Sequence, residues 1–287
     1  MNAPAPLRDI YVKVNVLQKI RSRQRLSIEE LKKNYYRYQR NYGKKIESKS
    51  GIKVINDLEK FIVLGQPGAG KTTFLKSCVL RSLDGEPEKK RIPIFISLKD
   101  LSDSKMSLVN FIVKQFDICR FPDAKSFVVR AFENGKCQLL LDGLDEVPNK
   151  NLDVIIKEIK DFSDKYDDNQ YIISCRGAAY DYWLDKFIDV EIADFDEMQI
   201  ESFINNWFRK EPDIGQSCLK KLKDNKATFE LASTPLLLTL LCICYDELFD
   251  FPSNRAELYK ESIDALLKKW DSTRRIRRDE VYRYLSV

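Results

Sequence analysis

Gly65-Gln66-Pro67-Gly68-Ala69-Gly70-Lys71-Thr72, followed by Thr73, continues directly from the apolar run Phe61-Ile62-Val63-Leu64. Glycines in such a loop let successive backbone N–H groups converge on one anion, because no Cβ blocks the turn. A helix starting behind the loop adds the positive end of its dipole. Lys71 then reaches the β and γ phosphates of a nucleotide, and Thr72 offers its hydroxyl to Mg2+. A chance surface turn would lack the flanking context such a loop needs. Here a buried-strand pattern precedes it, and Phe74, Leu75, Cys78 and Val79 follow at helical spacing. Residues Gly65 to Thr73 are therefore the expected phosphate-binding set.

Working outward, short apolar runs alternate with helix-period segments, the sequence sign of a parallel sheet covered on both faces. The expected strands are Phe61 to Leu64, Ile92 to Leu98, Gln138 to Leu141, Tyr171 to Ser174 and Phe187 to Ile192. Helices are expected after Lys71, from Leu108 to Phe116, Ala124 to Phe132 and Leu152 to Phe162, with an Asn134-Gly135 turn before the third strand. Beyond Phe195 only helical periodicity remains, in Met198 to Phe208, around Leu219 to Leu222, in Pro235 to Tyr245 and in Ala256 to Trp270. The expected architecture is an α/β domain, residues 57–193, built on a five-stranded parallel sheet flanked by helices. A small helical lid, 194–270, follows it; a basic helical segment, 1–56, precedes it; and residues 271–287 form a linker or the start of another module.

Gln138-Leu139-Leu140-Leu141-Asp142-Gly143-Leu144-Asp145-Glu146 places a carboxylate at the C-terminal end of a buried strand, where ligands of open α/β sheets gather. Asp142 is the candidate partner of Mg2+ opposite Thr72. Phosphoryl transfer to water needs a residue that orients the nucleophile; Glu146 is the first choice and Asp145 the second. Either acid could instead cap the helix beyond Pro148. The strand Ile92 to Leu98 lies in sequence between the phosphate loop and the acidic strand. That leaves room in the sheet for the strand ending at Cys175-Arg176 to sit between the loop strand and the acidic one. Arg176 would then point at the γ-phosphate region and distinguish ATP from ADP, the alternative being an ordinary surface arginine. Asn149-Lys150-Asn151-Leu152 begins like a guanine-reading signature but lacks its acid and follows the wrong strand, which favours adenine.

Composition narrows the class further. The chain has 287 residues, 44% of them apolar, enough for a large core. The longest apolar run, Pro235 to Cys244 interrupted by Thr239, is too short to span a bilayer, and no signal pattern opens the chain, so a protein without membrane attachment is expected. Seven cysteines without paired metal spacing, and no histidine, argue against zinc and read as small buried hydrophobes in a reducing cytoplasm. Charge is uneven: residues 1–53 carry 14 Lys/Arg against 4 Asp/Glu. Between Lys32 and Tyr42, cations interleave with aromatics, behind a capping box at Ser27-Ile28-Glu29-Glu30. A helix packing its tyrosines on the main domain is the favoured reading, and a nucleic-acid surface the other. Arg274-Arg275-Ile276-Arg277-Arg278 reads as a solvated linker or helix face.

Taken together these motifs resemble a NACHT domain, a branch of the STAND class of signalling ATPases. The resemblance runs from about Asp57 to Trp270. It includes Arg91-Ile-Pro-Ile-Phe-Ile-Ser-Leu98, the Asp142 to Glu146 box, Ile173-Ser-Cys-Arg176, Phe195 to Phe203, Ser233-Thr234-Pro235 with its leucine run, and Arg255-Ala-Glu-Leu-Tyr259. It implies that Lys71 and Thr72 serve phosphate and Mg2+, Asp142 serves Mg2+, Glu146 with Asp145 serves hydrolysis, and Arg176 is a sensor arginine. It also implies that Pro235 belongs to a lid motif beside the nucleotide. Read from the residues alone, Thr234-Pro235 is equally a helix start, with a hydroxyl cap and a proline at the first position. Members of this family usually continue into a winged helix and a sensor of repeats, so a fragment or a short member is expected, with effector or sensor domains as partners.

The expected function is an ATP-binding, slowly hydrolysing switch in which ADP/ATP exchange controls assembly into a homo-oligomer, in antiphage or innate immune defence. The alternative is a nucleotide-stabilised binding module that contacts nucleic acid or a partner through its basic arm, without meaningful hydrolysis.

Overall fold

In the computed structural model the described residues are 7–17, 48–85, 90–177, 184–252 and 254–274. Two compact units are present: Lys13–Ala193, and Met1–Val12 together with Asp194–Val287. The first is an α/β unit. Its strands are β1 (Asn15–Leu17), β2 (Ser48–Ser50), β3 (Lys60–Gly65), β4 (Ile92–Ser97), β5 (Cys137–Asp142), β6 (Gln170–Arg176) and β7 (Ile188–Ile192). They form one sheet in the order β2-β1-β7-β3-β6-β5-β4.

The five strands expected from the sequence are all present and run parallel, β7-β3-β6-β5-β4. β6 does lie between the loop strand and the acidic strand, pairing Gly65 with Arg176 on one side and Leu141 with Ile173 on the other. β3 is buried along its whole length, as an interior strand covered on both faces must be. Alternation sorts its side chains. Ile62 and Leu64 join Leu139, Leu141, Ile173, Ile112, Phe132, Ile159 and Phe162 in one core cluster. Phe61 and Val63 face the opposite layer, to which the Lys71–Leu83 helix contributes Phe74, Leu75 and Cys78. β4 is the outer parallel strand and carries Pro93, tolerated at a sheet edge where a ladder donor can be spared.

Two short strands extend the sheet beyond the expected five. β1 adds antiparallel to β7, and β2 to β1. Their signal was faint, three residues each, although Val12, Val14 and Val16 alternate into the interior. The Ser27 to Glu30 capping box, the Lys32 to Tyr42 stretch and the Arg275 to Arg278 part of the late basic cluster lie outside the described residues. Two short helices also escaped the periodicity reading. Leu98–Ser104 begins where Ser97 accepts a hydrogen bond from the Asp100 N–H at 3.2 Å, so the expected strand stops there; Lys226–Leu231 is capped by Asn225. Six of the seven cysteines are buried as expected, but Cys119 is exposed just past the Leu108–Ile118 helix, whose buried face is Leu108, Phe111 and Ile112.

The second unit is helical among its described residues. The Glu197–Trp207 helix starts with a reciprocal cap, Asp196 accepting from the Gln199 N–H at 2.9 Å and Gln199 Oε1 from the Asp196 N–H at 3.0 Å. The Pro235–Leu248 helix buries Leu237, Leu238, Leu241, Cys242, Ile243, Cys244 and Tyr245. Thr234 precedes it without a side-chain cap, contrary to the sequence expectation. Its carbonyl instead accepts from Leu238 at 2.9 Å, and the fixed φ of Pro235 sets the first turn. No helix of the described residues is long and apolar enough to cross a membrane.

At the N-terminal ends of the parallel strands a buried polar seam closes the α/β unit. Gln170 Nε2 donates to the carbonyls of Ile55 at 2.6 Å and Leu58 at 2.7 Å, while its Oε1 accepts from Gln138 Nε2 at 2.7 Å. Lys60 Nζ donates to the Ser163 carbonyl at 2.9 Å and pairs with Asp167. Each group is satisfied, which is the condition for burying it without loss. Replacing Gln170 by Ala would leave two carbonyls and an amide unpaired, at about 1–3 kcal/mol per buried group. We expect a fall of at least about 2 kcal/mol in unfolding free energy by urea denaturation; a change under about 0.5 kcal/mol would show that the seam is not structural.

Candidate functional site

The opposite ends of the same strands carry the chemistry. β3 runs into a loop in which Gly68 and Gly70 hold φ of 81° and 91°, the left-handed region that a Cβ disfavours. Gly70 is the N-cap of the Lys71–Leu83 helix, whose first backbone bond runs from Phe74 to the Gly70 carbonyl at 2.8 Å. The amides of Lys71, Thr72 and Thr73 therefore precede the helix's own ladder and are available to an anion. Thr72 and Thr73 are exposed there.

Lys71 folds back on its own loop. Its Nζ donates to the carbonyls of Gly65 at 2.9 Å and Gln66 at 3.1 Å. Burial pulls its pKa below the ordinary lysine range; Asp145 opposes that and Arg176 adds to it. A polyphosphate entering the loop would meet an ammonium already present and half-desolvated.

Asp142 ends β5. Its Oδ1 accepts from Thr72 Oγ1 at 3.1 Å and from Ser174 Oγ at 2.5 Å. Ser174 in turn accepts from the Gly143 N–H at 2.8 Å and is 1% exposed. Thr72 and Asp142 are hard oxygen donors on adjacent elements, and no cluster of three or more metal-ligating side chains exists among the described residues. Two protein oxygens suit Mg2+, which keeps waters and takes its remaining ligands from phosphates. The donor set therefore fits that ion.

The acidic box turns sharply after Asp142. Gly143 has φ of 79°, and a Cβ there would lie 3.2 Å from Glu146 Cδ, so the glycine lets Glu146 fold close over the turn Leu144–Glu146. Glu146 is exposed. Asp145 is not: its Oδ1 accepts from the Arg176 N–H at 2.9 Å, and its Oδ2 forms an ion pair with Arg176 Nε at 2.8 Å. Neither acid caps the following helix, Asn149–Lys165, whose N-cap is Pro148 without a side-chain bond. Cys175, between Ser174 and Arg176, is buried, which pushes its thiol up to about 12 and leaves it inert.

Of the residues expected from the sequence, the structure gathers Lys71, Thr72, Asp142, Asp145, Glu146 and Arg176 at the C-terminal ends of β3, β5 and β6, beside the loop Gln66, Pro67, Gly68, Ala69 and Gly70. Pro235 belongs to the other unit, as the first residue of its helix. Ser174 was missed: a serine inside an apolar strand looks like filler until strand register places it opposite Asp142. Its removal strands the buried Gly143 N–H and one contact of Asp142. Ser174→Ala should lower the unfolding free energy by about 1–3 kcal/mol, read by denaturant titration, and unchanged stability would contradict the assigned bonds.

Comparison with known proteins gives the family. A family model described as "NACHT domain" matches residues 59–211, more than half of the chain. No curated protein matches the sequence. Solved structures similar to it include domain III of the replication initiation protein DnaA from Thermotoga maritima, at 14% identity and TM-score 0.41, covering 82% of this chain and 91% of that one. PCH-2 from C. elegans is similar at 15% identity and TM-score 0.39, covering 86% and 71% respectively. A RuvB variant from Thermotoga maritima is similar at 13% and 0.38, covering 82% and 68%. With the phosphate loop at the end of β3 and the family match spanning β3 to the end of the Glu197–Trp207 helix, the chain belongs to the NACHT family of P-loop NTPases.

Proposed function

We propose that this NACHT domain binds ATP and ADP with Mg2+, hydrolyses ATP slowly, and uses the exchange of one for the other as a switch that controls self-assembly. The observation that carries the reading is the meeting of Lys71, the Thr72–Asp142 pair and the Asp145–Arg176 pair at three adjacent strand ends. In this reading the amides from Gly68 to Thr73 cradle the phosphates. Lys71 exchanges its two carbonyl acceptors, charge-assisted bonds worth about 1.5–3 kcal/mol each, for β- and γ-phosphate oxygens. Thr72 and Asp142 hold Mg2+, which when bound neutralises charge building up on the phosphates. Glu146, exposed at the turn, orients the attacking water. Adenine is favoured because the guanine-reading signature is incomplete at Asn149 to Leu152.

A switch needs the two nucleotides to bind its states differently. Moving a population from 1:99 to 99:1 takes about 5.5 kcal/mol of differential affinity. A γ-phosphate that engages both Lys71 and Arg176 through charge-assisted bonds supplies a contribution of that order. Assembly into a homo-oligomer and a role in defence signalling are the family's expectations for such a switch and stand as part of the proposal.

Two variants test the roles. Lys71→Ala should reduce nucleotide affinity at least about 100-fold by isothermal titration, the loss of two charge-assisted contacts. Glu146→Gln should retain ATP and lose turnover in a phosphate-release assay, by about 100-fold or more. Undiminished phosphate release in Glu146→Gln would remove that residue from the chemistry.

A further inference from the structure

The sequence offered Asp145 as a second water-orienting acid, but its geometry serves another end. Both carboxylate oxygens are committed to one residue: Oδ1 to the Arg176 N–H and Oδ2 to Arg176 Nε. The Asp145 side chain is 7% exposed, whereas that of Arg176 is 52% exposed. The pair thus has a buried anchor and an accessible tip. Holding backbone and side chain together ties down the strand end and keeps the guanidinium beside the carboxylate. Nη1 and Nη2, the two nitrogens at the tip, have no hydrogen-bond partner among the described residues. They carry four of the five N–H donors, in the planar fork that matches a phosphate.

The direction of that fork is set by the sheet. Register places Arg176 beside Gly65, the last residue of β3 and the first of the phosphate-loop motif, and both Asp145 and Arg176 act electrostatically on Lys71. An arginine tethered only at its Cα would sample many rotamers and lose entropy on meeting a ligand; one ion-paired at Nε has less of that freedom left to lose. A carboxylate in this position also limits the repulsion between Arg176 and Lys71 until an anion arrives.

We propose that Asp145 is a positioning residue that sets the preference for a nucleoside triphosphate over a diphosphate, by aiming the free edge of Arg176 at the terminal phosphate. The proposal rests on the reading above that Arg176 meets the γ-phosphate. It assigns the two acids of the turn to separate tasks: Glu146 to water, Asp145 to the arginine.

The test measures affinities for ADP and for a non-hydrolysable ATP analogue, each with Mg2+, on the 287-residue chain. Arg176→Ala should lower the analogue-to-ADP affinity ratio by roughly 10- to 100-fold, and Asp145→Asn, near-isosteric and so the gentler change, should lower it in the same direction by several-fold. Asp145→Ala should do more than Asp145→Asn, with ADP affinity retained as the check on folding. Asp145→Ala combined with Arg176→Ala should lower the ratio no further than Arg176→Ala alone, since the aspartate acts only through the arginine. A normal ratio in both Asp145 variants with the Arg176→Ala effect intact overturns the proposal and leaves Arg176 in its role. A normal ratio in Arg176→Ala overturns both. Additive losses in the combined variant overturn the proposal as well, since Asp145 would then act by another route.

Discussion

Asp142 Oδ1 accepts hydrogen bonds from Thr72, one residue into the phosphate-loop helix, and from Ser174 on β6, so one carboxylate oxygen ties the ends of three neighbouring strands into a single site. The rest depends on this constraint. Only with β6 between β3 and β5 can Ser174 reach Asp142 on one side while Arg176 ends beside Gly65 on the other. The strand order therefore does more than fill a core. It decides which side chains share a ligand.

The two ends of the parallel strands divide structural and chemical duties. At the start of the strands, Gln138, Gln170 and Lys60 are buried and fully occupied with carbonyls, amides and a carboxylate. At their finish, polar groups are held at one end and left open at another: Lys71 rests on its own loop, the two outer nitrogens of Arg176 have no hydrogen-bond partner among the described residues, and Glu146 is exposed. Satisfied polar groups specify and stabilise; partly committed ones are available to a ligand without reorganising the chain. The contrast lies within single strands, since β6 begins with Gln170 and ends with Arg176.

The parallel sheet was legible because its central strands, β3, β5 and β6, are buried on both faces along nearly their whole length and so read as short apolar runs, Phe61 to Leu64 most plainly. The phosphate loop and Asp142 were legible because their chemistry demands particular residue types at fixed places. The edge strands were not: Ser48-Lys49-Ser50 carries no apolar signal, and pairing with β1 is what makes it a strand. Ser174 and the Asp145–Arg176 pair escaped for a different reason, since each joins residues about 30 positions apart and depends on register between β5 and β6. Thr234 shows the reverse error, a cap expected from local sequence that the structure does not form, its neighbour Pro235 having already fixed the turn.

The most direct measurement is a crystal structure with a non-hydrolysable ATP analogue and Mg2+. The account requires the β and γ phosphates to lie against the amides from Gly68 to Thr73, with Lys71 Nζ withdrawn from the carbonyls of Gly65 and Gln66 to reach them. A bound analogue that leaves Lys71 on those carbonyls, with its phosphates away from Thr72 and Asp142, would contradict it.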